Sequence, residues 1–190
     1  MSPETTLYTG VGDDGYTGVL GRERVAKYDL QPVAYGTLDE LSAALGLART
    51  GSKHPRSNDI IVEIQRDLYR AMADMATTPE AAERTGAWLP ADRVAWVEEI
   101  IAEVGGQVEI PPAFIVSGDS YGGALLDVAR TVCRRAERHV ARLHHQGMLS
   151  NIEALRYLNR LSSLLFALSR LEDKAAGVEQ FTLARLERDS

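Results

Sequence analysis

Only one cysteine, Cys133, occurs among the 190 residues. A lone thiol excludes an internal disulfide and fits a reducing compartment. Long apolar runs are also missing. No stretch approaches the ~18 residues of a membrane span, and the N-terminus has no signal-peptide apolar region, so a cytoplasmic protein without membrane contact is expected. Positive charge is in deficit: 21 Lys and Arg face 27 Asp and Glu, for a formal net charge of -6, which argues against nucleic acid as a partner. No internal repeat or low-complexity segment occurs. No Walker loop or dinucleotide fingerprint is present. The His144-His145 pair lacks the i, i+4 spacing of a helical metal site, so no metal-binding residues are predicted.

What remains is ordinary for one globular domain: 45% hydrophobic and 25% charged residues. Residues 1–33 hold Gly10, Gly12, Gly15, Gly18 and Gly21 among Thr9, Asp13, Asp14 and Thr17, which predicts a turn-making loop. Helical apolar spacing then runs over Val33–Arg49, Ser57–Ala76, Ala91–Val104, Gly118–His145 and Asn151–Lys174. The stretch Thr77–Pro90, with Pro79, Gly86 and Pro90, reads as a connection. Phe114-Ile115-Val116 reads as a short extended piece. The expectation is an all-α five-helix bundle over 34–175, preceded by the 1–33 loop and followed by a 176–190 tail. The ends, about 1–6 and 180–190, are expected to be mobile in the unbound protein.

The segment Ala129–Arg138 is the most informative. Arg130, Arg134 and Arg138 recur every fourth residue and stack on one helix face, with Glu137 within reach of it. Like charges in a row repel unless an anion lies opposite, and guanidinium groups suit phosphate and carboxylate oxygens. On an acidic chain this local basic patch indicates a phosphate site; a solvated charged face is the alternative. Cys133 is read as a small core residue on this helix. The loop Thr9–Thr17 can present backbone N–H groups and hydroxyls to phosphates, or can be only a flexible end. Asp39, in the first long helix, either favours the helix dipole or pairs with an arginine of the fourth helix. Asn159 is a poor helix former in mid-helix, which suggests a polar contact to a ligand or between helices.

Taken together these residues resemble the PduO-type ATP:cob(I)alamin adenosyltransferases. The likeness runs from about Leu7 to Arg170. It rests on Tyr35-Gly36-Thr37-Leu38-Asp39-Glu40-Leu41, on Ala129–Arg138, and on Tyr157-Leu158-Asn159-Arg160-Leu161-Ser162. Phe114-Ile115-Val116 corresponds to the family's Phe-Ile-Leu-Pro, and Tyr8–Thr17 to its Tyr-Thr-Lys-Thr-Gly-Asp-x-Gly. The resemblance implies a homotrimer with active sites between subunits. It also implies ATP and cobalamin as substrates, with Mg2+ on the triphosphate. Thr9, Gly12, Asp13, Gly15, Thr17, Arg22, Lys27, Arg134, Glu137, Arg138 and Asn159 would then be nucleotide-binding. Asp39, Arg130 and Phe114 would be catalytic: Arg130 paired to a neighbouring subunit's Asp39, and Phe114 walling the corrin and keeping the lower axial ligand off cobalt.

The chain departs from that pattern where ATP should bind. Gly10-Val11 replaces Lys-Thr, and Asp14 follows Gly12-Asp13. Ser117-Gly118-Asp119 replaces Pro-Gly-Gly, Asp127 replaces a histidine, and Ser163 an aspartate. A carboxylate beside a polyphosphate is repulsive. Two readings follow: an adenosyltransferase with a drifted ATP loop, or a non-catalytic paralogue that binds an adenine or signalling nucleotide such as a cyclic dinucleotide. Intact Asp39, Phe114, Arg130 and Arg134 favour the enzyme. Arg22, Arg24 and Lys27 are the cations available to offset Asp14.

Overall fold

A computed structural model describes residues 7–184. They form a helical bundle with one small hairpin, in the order β1 (Tyr16–Val19), β2 (Arg22–Ala26), α1 (Leu30–Gly51), α2 (Pro55–Met75), α3 (Pro79–Thr85), α4 (Asp92–Gly105), α5 (Tyr121–His145) and α6 (Ile152–Ala175). The five expected helices are all present. A sixth, α3, lies in the stretch read as a connection. Proline interrupts a helix interior, yet Pro79 occupies a first-turn position, where its missing N–H costs nothing. Thr78 caps the helix by accepting from the Ala81 N–H at 3.3 Å. The glycine-rich start is likewise more ordered than expected, because β1 and β2 pair antiparallel, with Tyr16 opposite Ala26.

Helix α5 is the centre of the bundle. It packs on α6 and α1; α2 covers α1, and α4 covers α6. Its buried stripe of Leu126, Ala129, Val132, Cys133, Ala136, Val140 and Leu143 meets Leu158, Leu161, Leu165 and Leu168 of α6. Cys133 is fully buried, as expected, and burial pushes its thiol far above the usual range. Fully burying one such leucine contributes about 1.5–3 kcal/mol, so these stripes rather than helix propensity hold the bundle together.

The start of α5 shows why two glycines stand there. The Ser120 hydroxyl accepts from the Gly123 N–H at 3.0 Å, capping the helix, and donates to Asp173 at 2.6 Å. A Cβ on Gly123 would lie 2.1 Å from the Asp173 carboxylate. Gly122-Gly123 therefore serves a close approach of helices rather than a ragged entry.

Buried charges fasten the periphery. Asp67 on α2 accepts from Arg93 Nε at 2.8 Å, from Arg70 at 2.8 Å and from the Tyr157 hydroxyl at 3.1 Å. Asp74 takes the backbone N–H groups of Trp88 and Leu89 and the Asn151 amide, all at 2.9–3.0 Å. The chain beyond α6 returns to the Phe114 segment: Val116 N–H donates to Thr182 O and Ala184 N–H to Phe114 O, each at 2.8 Å. Residues 180–184, expected to be loose, are thus tied down by backbone pairing. Residues 1–6 and 185–190 lie outside the described part.

Candidate functional site

The outer face of α5 carries the arginines. Arg130 is half-buried, with its Nε donating to Asp127 at 2.9 Å. Arg134, one turn on, is exposed. Both line a cleft of about 380 Å³ with Ser162, Ser163, Phe166 and Ala167 of α6 and Ile101, Gly105 and Ile110. Two guanidinium groups and serine hydroxyls beside an apolar wall suit a molecule with anionic oxygens at one end and a flat apolar body. Arg138 shares the face but does not line the cleft; its Nη1 turns back onto Arg134 O at 2.9 Å. Arg135, on the flank, pairs with Glu40 of α1.

Glu137 and Asn159 meet across the α5–α6 seam, where the Asn159 amide donates to Glu137 at 2.8 Å. The Asn159 carbonyl in turn accepts from Arg160 at 2.7 Å, and Arg160 Nε donates to Glu98 of α4 at 3.0 Å. The mid-helix asparagine thus joins two helices. Asp39 stands exposed on α1, and among the described residues no hydrogen bond or ion pair reaches its carboxylate. Within one chain Arg130 is paired with Asp127 instead, as the i, i+3 spacing allows.

The N-terminal loop is a run of turns. Asp13 N–H donates to Gly10 O and Gly15 N–H to Gly12 O, each at 3.1 Å, while Lys27 N–H closes onto Gly15 O at 2.9 Å. The Thr9 hydroxyl accepts from Val11 N–H at 3.4 Å. Thr17 lies in the hairpin pairing, opposite Val25. A Cβ on Gly12 would lie 2.8 Å from Lys27 Nζ, so glycine lets that cation cross the loop. Arg22 sits elsewhere, in a crevice of about 290 Å³ with Gln31, Thr78 and Glu80. The hairpin is anchored to the end of α2 by Leu20 N–H on Ala76 O at 2.7 Å and by Thr78 N–H on Leu20 O at 2.9 Å. Among the described residues, no hydrogen bond or ion pair joins this loop to the arginine cleft, and none of the loop residues lines that cleft.

The acidic departures are all engaged. Asp14 is gripped at both oxygens by Arg24, at 2.7 and 2.8 Å, and this bonding holds its carboxyl below the usual range. Arg24 also donates to Tyr16 O at 2.9 Å and to Val11 O. It therefore neutralises Asp14 and braces the loop, leaving Lys27 as the cation there without an ion pair among the described residues. Asp127 lies between Arg130 and the buried Arg170, whose Nη2 is 2.7 Å from it. Asp119 accepts from the Thr182 N–H and hydroxyl at 2.9 and 2.7 Å. The wall residues Ser162, present in the sequence only as the end of the Tyr157–Ser162 motif, and Phe166 are not among the predicted site residues; their signal is the α6 face one and two turns beyond Asn159.

Phe114 is 85% exposed on its short extended segment. Glu109, Pro111, Pro112, Glu179, Gln180, Phe181 and Leu183 line a groove of about 480 Å³ nearby along the chain. Its two glutamates make it unsuited to a polyphosphate.

The family model for cobalamin adenosyltransferase matches residues 7–172. The chain belongs to the cobalamin adenosyltransferase family. It is 39% identical over 174 residues to a corrinoid adenosyltransferase of Mycobacterium leprae, covering 88% of this chain and 91% of that one. It is 36% identical over 170 residues to the corrinoid adenosyltransferase PduO of Citrobacter freundii, covering 90% of this chain but only 50% of that longer protein. The fold matches a variant PduO-type ATP:corrinoid adenosyltransferase from Lactobacillus reuteri, complexed with cobalamin and ATP. The TM-score is 0.87 at 30% identity, over 95% of this chain and all of the other. Among the described residues, no helix is long and apolar enough to cross a membrane.

Proposed function

We propose that this protein is an ATP:corrinoid adenosyltransferase that moves the 5′-deoxyadenosyl group of ATP to cob(I)alamin. The observation that carries the reading is the cleft in which Arg130 and Arg134 stand beside the Ser162–Ala167 face of a bundle related to an enzyme bound to both substrates. In the reaction cobalt(I) attacks the 5′ carbon, the cobalt–carbon bond forms as the carbon–oxygen bond breaks, and triphosphate leaves with the electron pair. Cobalt(I) supplies the nucleophile, so the chain need not provide a general base. Its work is positioning, charge stabilisation and exclusion of water.

Arg134 and Arg130 hold the nucleotide, and Arg138, Glu137 and Asn159 keep that face in shape. The Thr9–Thr17 loop with Lys27 covers the triphosphate, while Arg22 stands apart in its own crevice. Loop and cleft are separate within one chain, so a second copy brings them together. This supports sites between subunits, in a homotrimer as the resemblance implies, where the Nη groups of Arg130, unbonded among the described residues, meet Asp39 of a neighbour. Among the described residues, no cluster of three His, Cys, Asp or Glu could cage a metal. Mg2+ fits as an ion carried by the phosphates and their waters, where it would offset their charge. The paralogue reading rests on Gly10-Val11 in place of Lys-Thr and on carboxylates opposed to phosphate. Asp14 and Asp119 each have a partner within the chain, which removes the second of these grounds.

The test supplies ATP, Mg2+ and chemically reduced cobalamin and follows the corrin absorbance. Adenosylcobalamin should accumulate, and Arg134→Ala should abolish ATP binding in calorimetry while leaving the melting temperature nearly unchanged. Nucleotide binding without any adenosylated product would reject the reading in favour of the paralogue.

A further inference from the structure

The segment that carries Phe114 has no sheet of its own. Its backbone is held by the returning tail: Val116 N–H on Thr182 O and Ala184 N–H on Phe114 O, both at 2.8 Å, with Ile115 opposite Leu183 in an antiparallel bridge. Alternation in this extended pair places Phe114 and Val116 on one side, both exposed, and the half-buried Ile115 on the other. Whatever fixes the tail therefore fixes the direction of Phe114.

Two features fix the tail. The Phe181 ring lies 5.3 Å from the buried Arg170 guanidinium, which also lies 5.4 Å from the Phe166 ring in the wall of the arginine cleft. The second feature is Asp119. Gly118, with φ +122, turns the chain just beyond Val116, so that Asp119 faces back along the tail. Each of its carboxylate oxygens takes one hydrogen from Thr182, the N–H on one and the hydroxyl on the other. Thr182 is thus bonded on both sides, its carbonyl to Val116 and its amide to Asp119. The result is a closed ring of hydrogen bonds around the base of the Phe114 segment.

We infer that Asp119 is a positioning residue for the corrinoid half of the reaction: it latches the tail at Thr182 and thereby holds Phe114 where the lower face of the corrin must pass. The inference rests on the adenosyltransferase reading. The carboxylate at this position, a departure from the family's Pro-Gly-Gly, is on this account this chain's own way of stiffening the segment. Glycine gives a turn at such a place but no acceptor for the tail.

The test compares wild type with Asp119→Ala, Asp119→Asn and Thr182→Val on two substrates, cob(II)alamin and cob(II)inamide, a corrinoid without the lower nucleotide base, each reduced to cobalt(I) in the assay by a one-electron flavin reductant. Asp119→Ala should raise KM for cob(II)alamin about tenfold, the fold-change set by one charge-assisted hydrogen bond, and leave KM for ATP unaltered. Cobinamide turnover should be unaffected, because that substrate has no lower base for Phe114 to displace. Asp119→Asn, which retains an acceptor, should recover part of the loss, and Thr182→Val should reproduce much of it. Hydrogen exchange at Val116 N–H should accelerate in Asp119→Ala at an unchanged melting temperature. Unchanged Val116 exchange, or an equal loss on both corrinoids, overturns the inference. If wild type adenosylates neither corrinoid, the reading of function fails. The Val116 measurement still decides whether the latch exists.

Discussion

Replacing Asp127 by alanine removes the counterion of an arginine that is 1% exposed. In the folded protein Arg170 Nη2 lies 2.7 Å from Asp127, while Nη1 is 3.3 Å from Asp173 and makes no hydrogen bond. Removing one partner of a buried pair costs about 3–5 kcal/mol, because the charge that remains cannot reach water. Here Asp173 and the rings of Phe166 and Phe181 retain part of the attraction. The low end therefore applies, about 3 kcal/mol. For a chain of this size that is a fall in melting temperature of about 6–12 °C. Thermal and urea unfolding should agree on it. The double variant Asp127→Ala/Arg170→Leu should recover at least about 1 kcal/mol relative to Asp127→Ala alone, since an apolar replacement of a buried pair is often neutral. A single-variant loss under about 1 kcal/mol, or a double variant no more stable than that single one, would refute the account of Arg170 as a charge held in place by Asp127. Arg130 loses its Nε tether in the same substitution, so ATP affinity should fall as well.

Three other outcomes are expected. Arg24→Ala frees Asp14 beside the loop and removes the brace on Val11 O and Tyr16 O, so calorimetric ATP affinity should drop; Arg24→Ala/Asp14→Gly should regain much of it. Gly123→Ala forces a methyl against Asp173 and should cost about 1–3 kcal/mol in urea unfolding. The Asp119 carboxyl is held below its usual range, first by the Thr182 hydroxyl and then by the Thr182 N–H, with the Arg170 charge favouring the ionised form and the Asp173 carboxylate facing it as a like charge. A lowered value means that the ionised latch contributes fully above the ordinary carboxylate range and is lost as pH falls through the depressed value. Val116 exchange protection, corrected for the intrinsic pH effect, should therefore be flat near neutrality and decline only in acid.

The helical part of the fold was legible because apolar periodicity is a local signal. The stripes of α5 and α6 and the burial of Cys133 could be read from spacing alone, as could the shared face of Arg130 and Arg134. Pro79 misled because proline both breaks and starts helices, and only the Thr78 cap separates the two cases. The hairpin was hidden because glycines suggested turns and the paired residues flank them. The acidic departures were hardest to read. Asp127 meets Arg170 43 residues on, and Asp119 meets Thr182 at a separation of 63, so nothing near either aspartate announces its partner. Asp14 and Arg24 are only 10 apart, and a hairpin placed between them would have suggested the pair. The proposed Asp39–Arg130 contact is one between copies; within one chain Arg130 is paired with Asp127.

The seclusion of Cys133 has a practical side. The protein's only sulfhydryl is sealed inside the bundle in its unreactive, protonated form, its hydrogen directed at Leu158 O, 3.5 Å away. Maleimide dyes and spin labels should pass over the native molecule. A cysteine introduced at an exposed site such as Tyr28 or Tyr69 would be the sole point of attachment. Distances between identical labels would then test the proposed assembly of copies directly, with no background to subtract.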